Sequence, residues 1–296
     1  MTEIQRFGTD ATHKRPDTVV FGIGGAGRNI LSSMIDDAAL TNIKTYEVGE
    51  SERIPNCSFI KINKSDMRKA YESGLYLGMS PMSNSERNLK DKIENNDVVY
   101  FLSGLGGETG SWTTPVCSYL SKQTRAFTII FTATPFKQEG PSRNKFADES
   151  KDIIKRYADV IAVFDNTRLL EMNRYLPMTE AFEVLNSIIR LPVKEFNAVL
   201  TKSDIPYLKR FCRGVNEFRI GAGYGKGMER GKKASKEAFR SPWFDDPREY
   251  ETILAVVASG KGSAELEAQD ALEVIKEECP NADIMWGLRK DADIGE

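Results

Sequence analysis

The stretch Ser103–Pro115, SGLGGETGSWTTP, decides how the chain is interpreted. It places four glycines within seven positions, beside Thr109, and it lies between the apolar run DVVYFL and the helix-like VCSYLSK. A glycine-rich turn between a strand and a helix lets backbone N–H groups approach an anion at the positive end of the helix dipole. We therefore predict that the turn holds a phosphate group. Glu108 needs an explanation, because a carboxylate beside a phosphate is electrostatically unfavourable.

A second glycine turn occurs early in the chain. The stretch DTVVFGIGGAG reads as a buried strand that ends in Gly22-Ile23-Gly24-Gly25-Ala26-Gly27, and RNILSSMIDDAAL then has helical spacing. Taken literally this is the G-x-G-x-x-G dinucleotide fingerprint, with Glu47 at a suitable distance to bind a ribose. A structural turn without a ligand is the alternative. Two such turns in one sheet favour a different ligand, since together they can surround a triphosphate.

Strands alternate with helices along the chain. The runs DTVVFGI, IKTYEV, SFIKI, DVVYFL, AFTIIFTATP and DVIAVFDN read as strands, and helical segments separate most of them. This order predicts an α/β fold: a parallel sheet with helices on both faces, a long central helix and a smaller C-terminal α/β domain. The predicted limits are a flexible segment at 1–16, a nucleotide-binding domain at 17–177, the central helix and its loop at 178–203, and a C-terminal domain at 204–296.

Composition excludes several classes of protein. The 296 residues carry a net charge of −2, with 28% charged and 40% hydrophobic residues, so there is no basic footprint for nucleic acid. Four cysteines without C-x-x-C spacing and one histidine argue against a zinc site and for reduced thiols. No apolar run is long enough to cross a bilayer and no signal-peptide core is present, so we expect a cytoplasmic protein without membrane insertion.

Five stretches resemble the tubulin/FtsZ family in the family's own order. GGETGS resembles the signature G-G-G-T-G-S/T-G, and GIGGAGRN resembles the first nucleotide loop. TPFKQEGPSR resembles K-P-F-x-x-E-G-x-x-R, with Thr134 in place of the lysine, and FDNTRL resembles P-N-D/E-x-L. TEAFEVLN resembles the start of the family's central helix. Further along, GAG at 221–223 and SPW at 241–243 fit two later stretches of the family. The resemblance thus extends from about residue 17 to 290, and an ordered series is far more specific than one motif.

The resemblance implies a GTP-binding protein that assembles head to tail with copies of itself. The implied ligands are GTP or GDP, with Mg²⁺ as a candidate cation and no metal-binding residues assigned. Glu139 and Arg143 would reach the ribose and phosphates, Phe182 would stack on guanine, and Asn186, four residues later on the same helix face, would bind the base edge. The full predicted nucleotide-binding set is Gly24, Gly25, Ala26, Gly27, Asn29, Gly106, Gly107, Glu108, Thr109, Gly110, Glu139, Arg143, Asn166, Phe182 and Asn186.

The chain departs from the family where hydrolysis is concerned. In the family, a loop after the central helix supplies carboxylates to the nucleotide of the next subunit in the filament. The matching stretch here is TKSDIPYLKRFC, in which Asp204 is the remaining carboxylate, while Lys202 and Tyr207 replace the other polar positions. Asp204 is therefore the predicted catalytic residue, and slow or altered hydrolysis is expected. Glu108 also replaces a glycine of the signature.

Three functions remain open on the sequence. The first is an FtsZ/tubulin-like cytoskeletal GTPase that forms filaments, with adaptor proteins as further candidate partners. The second is a non-polymerising relative that regulates or docks onto another filament, an alternative motivated by the altered Glu108, Lys202 and Tyr207. The third is an NAD-dependent oxidoreductase, which rests on the literal first loop and Glu47 and has no accompanying catalytic group.

Overall fold

The computed structural model describes residues 3–8, 14–37, 40, 43–74, 81–172, 177–215, 217–260, 264–291 and 294. The chain divides into two compact units. The first comprises Met1–Arg15, Leu191–Val215 and Arg219–Glu296, and the second comprises Pro16–Arg190 and Asn216–Phe218. The division at Arg190 falls within one long helix.

The strands belong to two sheets in which every pairing is parallel. In chain order they are β1 Ile4–Arg6, β2 Thr18–Ile23, β3 Lys44–Gly49, β4 Ser58–Lys61, β5 Val98–Gly104, β6 Phe127–Thr134, β7 Val160–Asp165, β8 Thr252–Ser259 and β9 Asp283–Lys290. The six-stranded sheet has the order β4-β3-β2-β5-β6-β7, and the three-stranded sheet has the order β1-β9-β8.

The α-helices follow most of the strands, as parallel connections require. They are α1 Gly24–Ser32, α2 Lys64–Glu72, α3 Asn84–Ile93, α4 Glu108–Lys122, α5 Pro141–Ile154, α6 Asn166–Met172, α7 Met178–Val199, α8 Ile205–Phe211, α9 Arg230–Ala238 and α10 Ala264–Glu278. The predicted α/β class, with a parallel sheet, a long helix and a smaller second α/β part, is confirmed.

The six-stranded sheet is covered on both faces. Alternate residues of β2 and β5, such as Phe21 and Phe101, are fully buried with Val116 and Leu120 of α4 in one hydrophobic cluster. The other face carries α1, because a Cβ atom on Gly22 would stand 2.8 Å from the Cβ of Leu31. This arrangement places the loops after β2 and β5 at one edge of the sheet, since parallel strands end together.

The smaller sheet forms a core of its own. Leu272 and Ile275 of α10 pack against Ile284 of β9 and against Ile4 and Ile253 on the two neighbouring strands. The hydrophobic spacing of the helix and the alternation of the strands together build this core.

The amino-terminal segment differs from the prediction of a flexible tail at 1–16. Ile4–Arg6 form β1, which pairs with β9. Phe7 is buried, and its ring lies 5.3 Å from that of Phe196. Isolated apolar residues in a polar segment were enough to order these positions, because they complete the edge of the small sheet. Residues 9–13 of the same segment lie outside the described residues.

Candidate nucleotide-binding site

The two glycine turns lie against each other at the carboxyl edge of the large sheet. A Cβ atom on Gly24 would stand 3.3 Å from the Cβ of Thr109 and 3.5 Å from the nitrogen of Gly110. Gly24 is the first residue of α1, and Thr109 is the second residue of α4. The first turns of two helices are therefore neighbours, as the sequence predicted.

Glycine is required in these turns for two reasons. Gly24 and Gly106 have φ angles of 67° and 88°, which residues with a Cβ atom rarely adopt. At Gly110 there is no room for a side chain, because a Cβ atom would stand 1.9 Å from the carbonyl oxygen of Gly104. Gly106 also donates its N–H to the hydroxyl of Ser111 at 2.8 Å, which fixes the turn from inside.

The amino ends of both helices are open to a ligand. Ile23 and Gly107 occupy the positions before α1 and α4, and neither makes a side-chain capping hydrogen bond. A Cβ atom on Gly25 would meet nothing within 4 Å, so the first turn of α1 faces open space. Ala26 and Asn29 are also exposed. Uncapped helix starts present backbone N–H groups and a partial positive charge, which suits phosphate.

Glu139 and Arg143 lie beside the second turn. The guanidinium Nη1 of Arg143 is 2.6 Å from Glu139 Oε2, and its Nε donates to the carbonyl oxygen of Gly106 at 3.4 Å. Glu139 Oε1 also accepts the backbone N–H of Phe136 at 2.9 Å. Arg143 is thereby held at the edge of the glycine turn, with its charge balanced by Glu139.

Asn166 follows β7 at the same edge of the sheet. Asn166 is 7% exposed, and its Oδ1 atom is buried with no hydrogen-bond partner among the described residues. The next residue, Thr167, accepts the backbone N–H of Lys137 at 3.2 Å, so Asn166 is connected to the loop after β6. A buried amide oxygen without a donor is unfavourable, which makes it a candidate ligand contact.

Phe182 and Asn186 lie one turn apart on α7. Phe182 is 37% exposed, which is high for a phenylalanine, and its ring lies 5.9 Å from the ring of Phe136 in an edge-to-face arrangement. Asn186 is partly exposed. Phe136 thus joins Phe182 to the segment that carries Glu139.

Glu108 forms an ion pair that sequence reasoning missed. Lys64 Nζ lies 3.4 Å from Glu108 Oε2 and 3.1 Å from Glu50 Oε2. The three residues follow the ends of β3, β4 and β5, and this common edge was the available signal. The pKa of Lys64 is raised, chiefly by its hydrogen bond to Glu50. Glu108 therefore turns towards a cation.

Glu47 is buried and bound by its own chain, so it is not accessible to a ribose. It is fully buried, Arg28 donates to its Oε1 atom, and the backbone N–H groups of Arg53 and Ile54 donate to Oε2 at 2.9 Å. The carboxylate therefore holds the loop after β3 in place. The position of Glu47 after the first glycine turn, which suggested a ribose-binding acid, is thus explained by a structural role.

Asp204 belongs to the smaller unit and closes a turn before α8. Its Oδ2 atom accepts the N–H of Thr201 at 2.8 Å, the hydroxyl of Thr201 at 2.6 Å and the N–H of Gly8 at 3.2 Å. These bonds fix the carboxylate and all use one of its two oxygens. Tyr207 is 56% exposed on the following helix turn.

The residues present fit a nucleotide. The open helix starts suit phosphates, the partnerless Asn166 amide oxygen suits a hydrogen-bond donor of the nucleoside, and the exposed Phe182 ring suits a base. Within the described residues no group of three or more His, Cys, Asp or Glu side chains is placed to hold a metal ion. No helix in that part of the chain is long and apolar enough to cross a membrane.

A parallel sheet with two glycine turns at its carboxyl edge is typical of α/β nucleotide-binding proteins, and comparison with known proteins identifies the family. The model of the Tubulin/FtsZ family, GTPase domain, matches residues 17–174. This chain belongs to that family. Membership of this GTPase family argues against the alternative of an NAD-dependent oxidoreductase.

Individual relatives agree with this assignment. The chain is 28% identical over 290 residues to cell division protein FtsZ 1 of Pyrococcus furiosus, which covers 93% of this chain and 77% of the relative. The structure of an empty FtsZ dimer from M. jannaschii superposes with a TM-score of 0.80 at 26% identity, covering 95% of this chain and 85% of that one. CetZ1 from Haloferax volcanii, a GDP-bound monomer, has a TM-score of 0.73 at 18% identity over 94% and 90% of the two chains, which shows the shared fold.

Proposed function

We propose that this protein binds GTP at the two glycine turns and assembles head to tail into cytoskeletal filaments, with slow or altered hydrolysis. The observation that carries the binding is the contact between Gly24 and Thr109, which brings two uncapped helix starts together. Membership of a GTPase family supports guanine as the base. Mg²⁺ is proposed to accompany the phosphates, and the protein is proposed to act in the cytoplasm.

Two observations support the proposed self-assembly: a relative that forms a dimer, and the position of Asp204 in the loop after the long helix. The M. jannaschii relative forms a dimer. The family resemblance implies filaments in which a carboxylate loop of one subunit lies against the nucleotide of the next. Asp204 is proposed to be that carboxylate. Its Oδ2 atom is held by local hydrogen bonds, so the group is already oriented before any neighbour binds.

Two measurements test the proposal. Purified protein is denatured and the released nucleotide is identified by chromatography, with guanine nucleotide expected. The protein is then sedimented and imaged by electron microscopy with GTP, with GDP and without nucleotide. Filaments that depend on GTP support the proposal, whereas a chain that binds no guanine nucleotide and stays monomeric at high concentration contradicts it.

A non-polymerising regulator is the second candidate. It is favoured by Tyr207, a large exposed ring in place of a carboxylate, and by the structural bonds that occupy Asp204. Bound nucleotide that is neither turned over nor accompanied by filaments would support this alternative. Phosphate release measured over a range of protein concentrations separates the two, because catalysis completed by a neighbouring subunit rises faster than in proportion to concentration.

A further inference from the structure

The ion-pair cluster Glu50–Lys64–Glu108 lies where the second glycine turn begins α4. Lys64 Nζ is 3.1 Å from Glu50 and 3.4 Å from Glu108. Glu108 is the first residue of α4, directly after Gly107. The cluster is therefore adjacent to the first turn of α4, which we propose binds phosphate.

The charge of the cluster is unfavourable for a phosphate unless it rearranges. Two carboxylates and one ammonium leave one net negative charge beside the turn, and each further phosphate of a nucleotide adds negative charge. A nucleoside triphosphate would meet more of this repulsion than a diphosphate. Arg68 also interacts electrostatically with Glu108, and a cation closer to the terminal phosphate would offset the remaining repulsion.

Lys64 is positioned to supply this positive charge. Its backbone is fixed, because the Oδ1 atom of Asn63 caps α2 by accepting the N–H of Ser65 at 2.9 Å, and the N–H of Asn63 donates to Ser85 at 3.0 Å. Its side chain is long, flexible and 36% exposed, and the two carboxylates are more exposed still. Exposed ion pairs are weak, so the ammonium can leave them at little cost.

We propose that Lys64 determines the preference for nucleoside triphosphate over diphosphate, by moving its ammonium from Glu50 and Glu108 to the terminal phosphate. This inference rests on the proposed binding of guanine nucleotide. It also assigns Glu108 a role, as a carboxylate that holds Lys64 beside the turn until a terminal phosphate takes its place.

Equilibrium affinities for GTP and GDP, measured on the full chain at fixed Mg²⁺ and again in EDTA, test the proposal. Lys64→Gln is expected to weaken GTP binding about tenfold or more and GDP binding less than about threefold, the scale of one lost charged contact. Lys64→Arg should retain part of the preference. Glu108→Gln should strengthen GTP relative to GDP, because it removes repulsion.

Lys69→Gln is the matched control, since it removes the same charge from an exposed position of α2 and should leave both affinities unchanged. Equal losses of GTP and GDP binding, or no loss, in Lys64→Gln would overturn the inference. So would a GTP preference that needs Mg²⁺ but not Lys64. A wild-type chain that binds neither nucleotide refutes the proposed function itself, which is a distinguishable result. Circular dichroism of each variant establishes that it folds, and Glu108→Gln keeps the inference testable if Lys64→Gln does not.

Discussion

A Cβ atom on Gly27 would stand 2.0 Å from the carbonyl oxygen of Leu102, so α1 approaches β5 as closely as a backbone can. Gly27→Ala is therefore expected to lower the free energy of unfolding by about 3 kcal/mol, the upper end of overpacking costs. The gain in helix propensity from alanine, about 1 kcal/mol, does not offset this. Urea denaturation followed by circular dichroism measures the change.

Gly25→Ala is the matched control for Gly27. A Cβ atom there meets nothing within 4 Å, and its φ angle is not positive, so the fold should tolerate it. If phosphate occupies the open side of α1, this substitution should instead weaken nucleotide binding. Equal destabilisation by Gly25→Ala and Gly27→Ala would show that the contact with Leu102 is not the cause.

Asn166 is predicted to contribute to ligand binding more than to folding. Its buried Oδ1 atom has no hydrogen-bond partner in the part of the chain that the structure describes. Asn166→Ala therefore removes an unsatisfied acceptor and should change stability by less than about 1 kcal/mol. Guanine nucleotide affinity should fall by about tenfold, the scale of one hydrogen bond. Calorimetric titration and thermal denaturation measure the two quantities.

Asn144→Ala gives the opposite pattern and controls for it. The Nδ2 atom of Asn144 donates to the carbonyl oxygens of Gly140 at 2.9 Å and Phe136 at 3.3 Å, so its loss should destabilise the loop after β6. A large loss of stability in Asn166→Ala with unchanged nucleotide affinity would contradict a ligand role for Asn166.

The sheet of the larger unit was predictable because its signals are local. Each strand is a short apolar run that ends in a turn, and a parallel order follows from the helices between strands. The helix α2 was missed because its sequence, KSDMRKAYE, is mostly polar and only Met67 and Ala70 are buried. The helix α7 continues to Val199 although it contains Pro192, a residue that usually kinks or ends a helix. Tertiary packing thus overrides weak local preference.

The backbone turns of the candidate site could be predicted from the sequence, but the ion pairs between its side chains could not. Glycines mark where a chain must turn or approach closely, so both loops were identifiable from spacing alone. Ion pairs such as Lys64 with Glu108 join residues from different loops, and no period in the sequence encodes them. Glu47 shows that spacing can also mislead. It lies where a dinucleotide motif would have its ribose-binding acid, but it is buried and accepts a hydrogen bond from the backbone of Arg53.

The thiol of Cys279 should make stability fall at alkaline pH. Burial raises its pKa from 9.0 to about 11, so between these values the unfolded chain loses the thiol proton while the folded chain keeps it. Stability from this group is fully present below pH 9 and is lost as pH rises towards 11, by about 3 kcal/mol at most. Urea denaturation in reducing buffer at pH 8, 9 and 10 measures the slope.

Cys279→Ala isolates this contribution. The variant starts from a lower stability because alanine leaves a gap, but its stability should fall less steeply with pH. The pKa of buried Cys117 and that of Tyr100 are also raised by burial, and these groups contribute equally to both proteins. Identical slopes for wild type and variant would rule out Cys279 as a source of the pH dependence.

Asp204 is expected to separate a structural role from a catalytic one. Asp204→Ala removes an acceptor of three hydrogen bonds and should cost about 2–3 kcal/mol of stability. Asp204→Asn keeps an oxygen that can accept them but removes the charge. If Asp204 acts on the nucleotide of a neighbouring subunit, Asp204→Asn should lower GTP turnover about 100-fold, a usual contribution of an acid–base group, while nucleotide affinity stays the same. Ser203→Ala is the control, since it removes the 2.9 Å bond to Thr201 from the same turn and should leave turnover unchanged. Wild-type turnover in Asp204→Asn would restrict Asp204 to holding its turn.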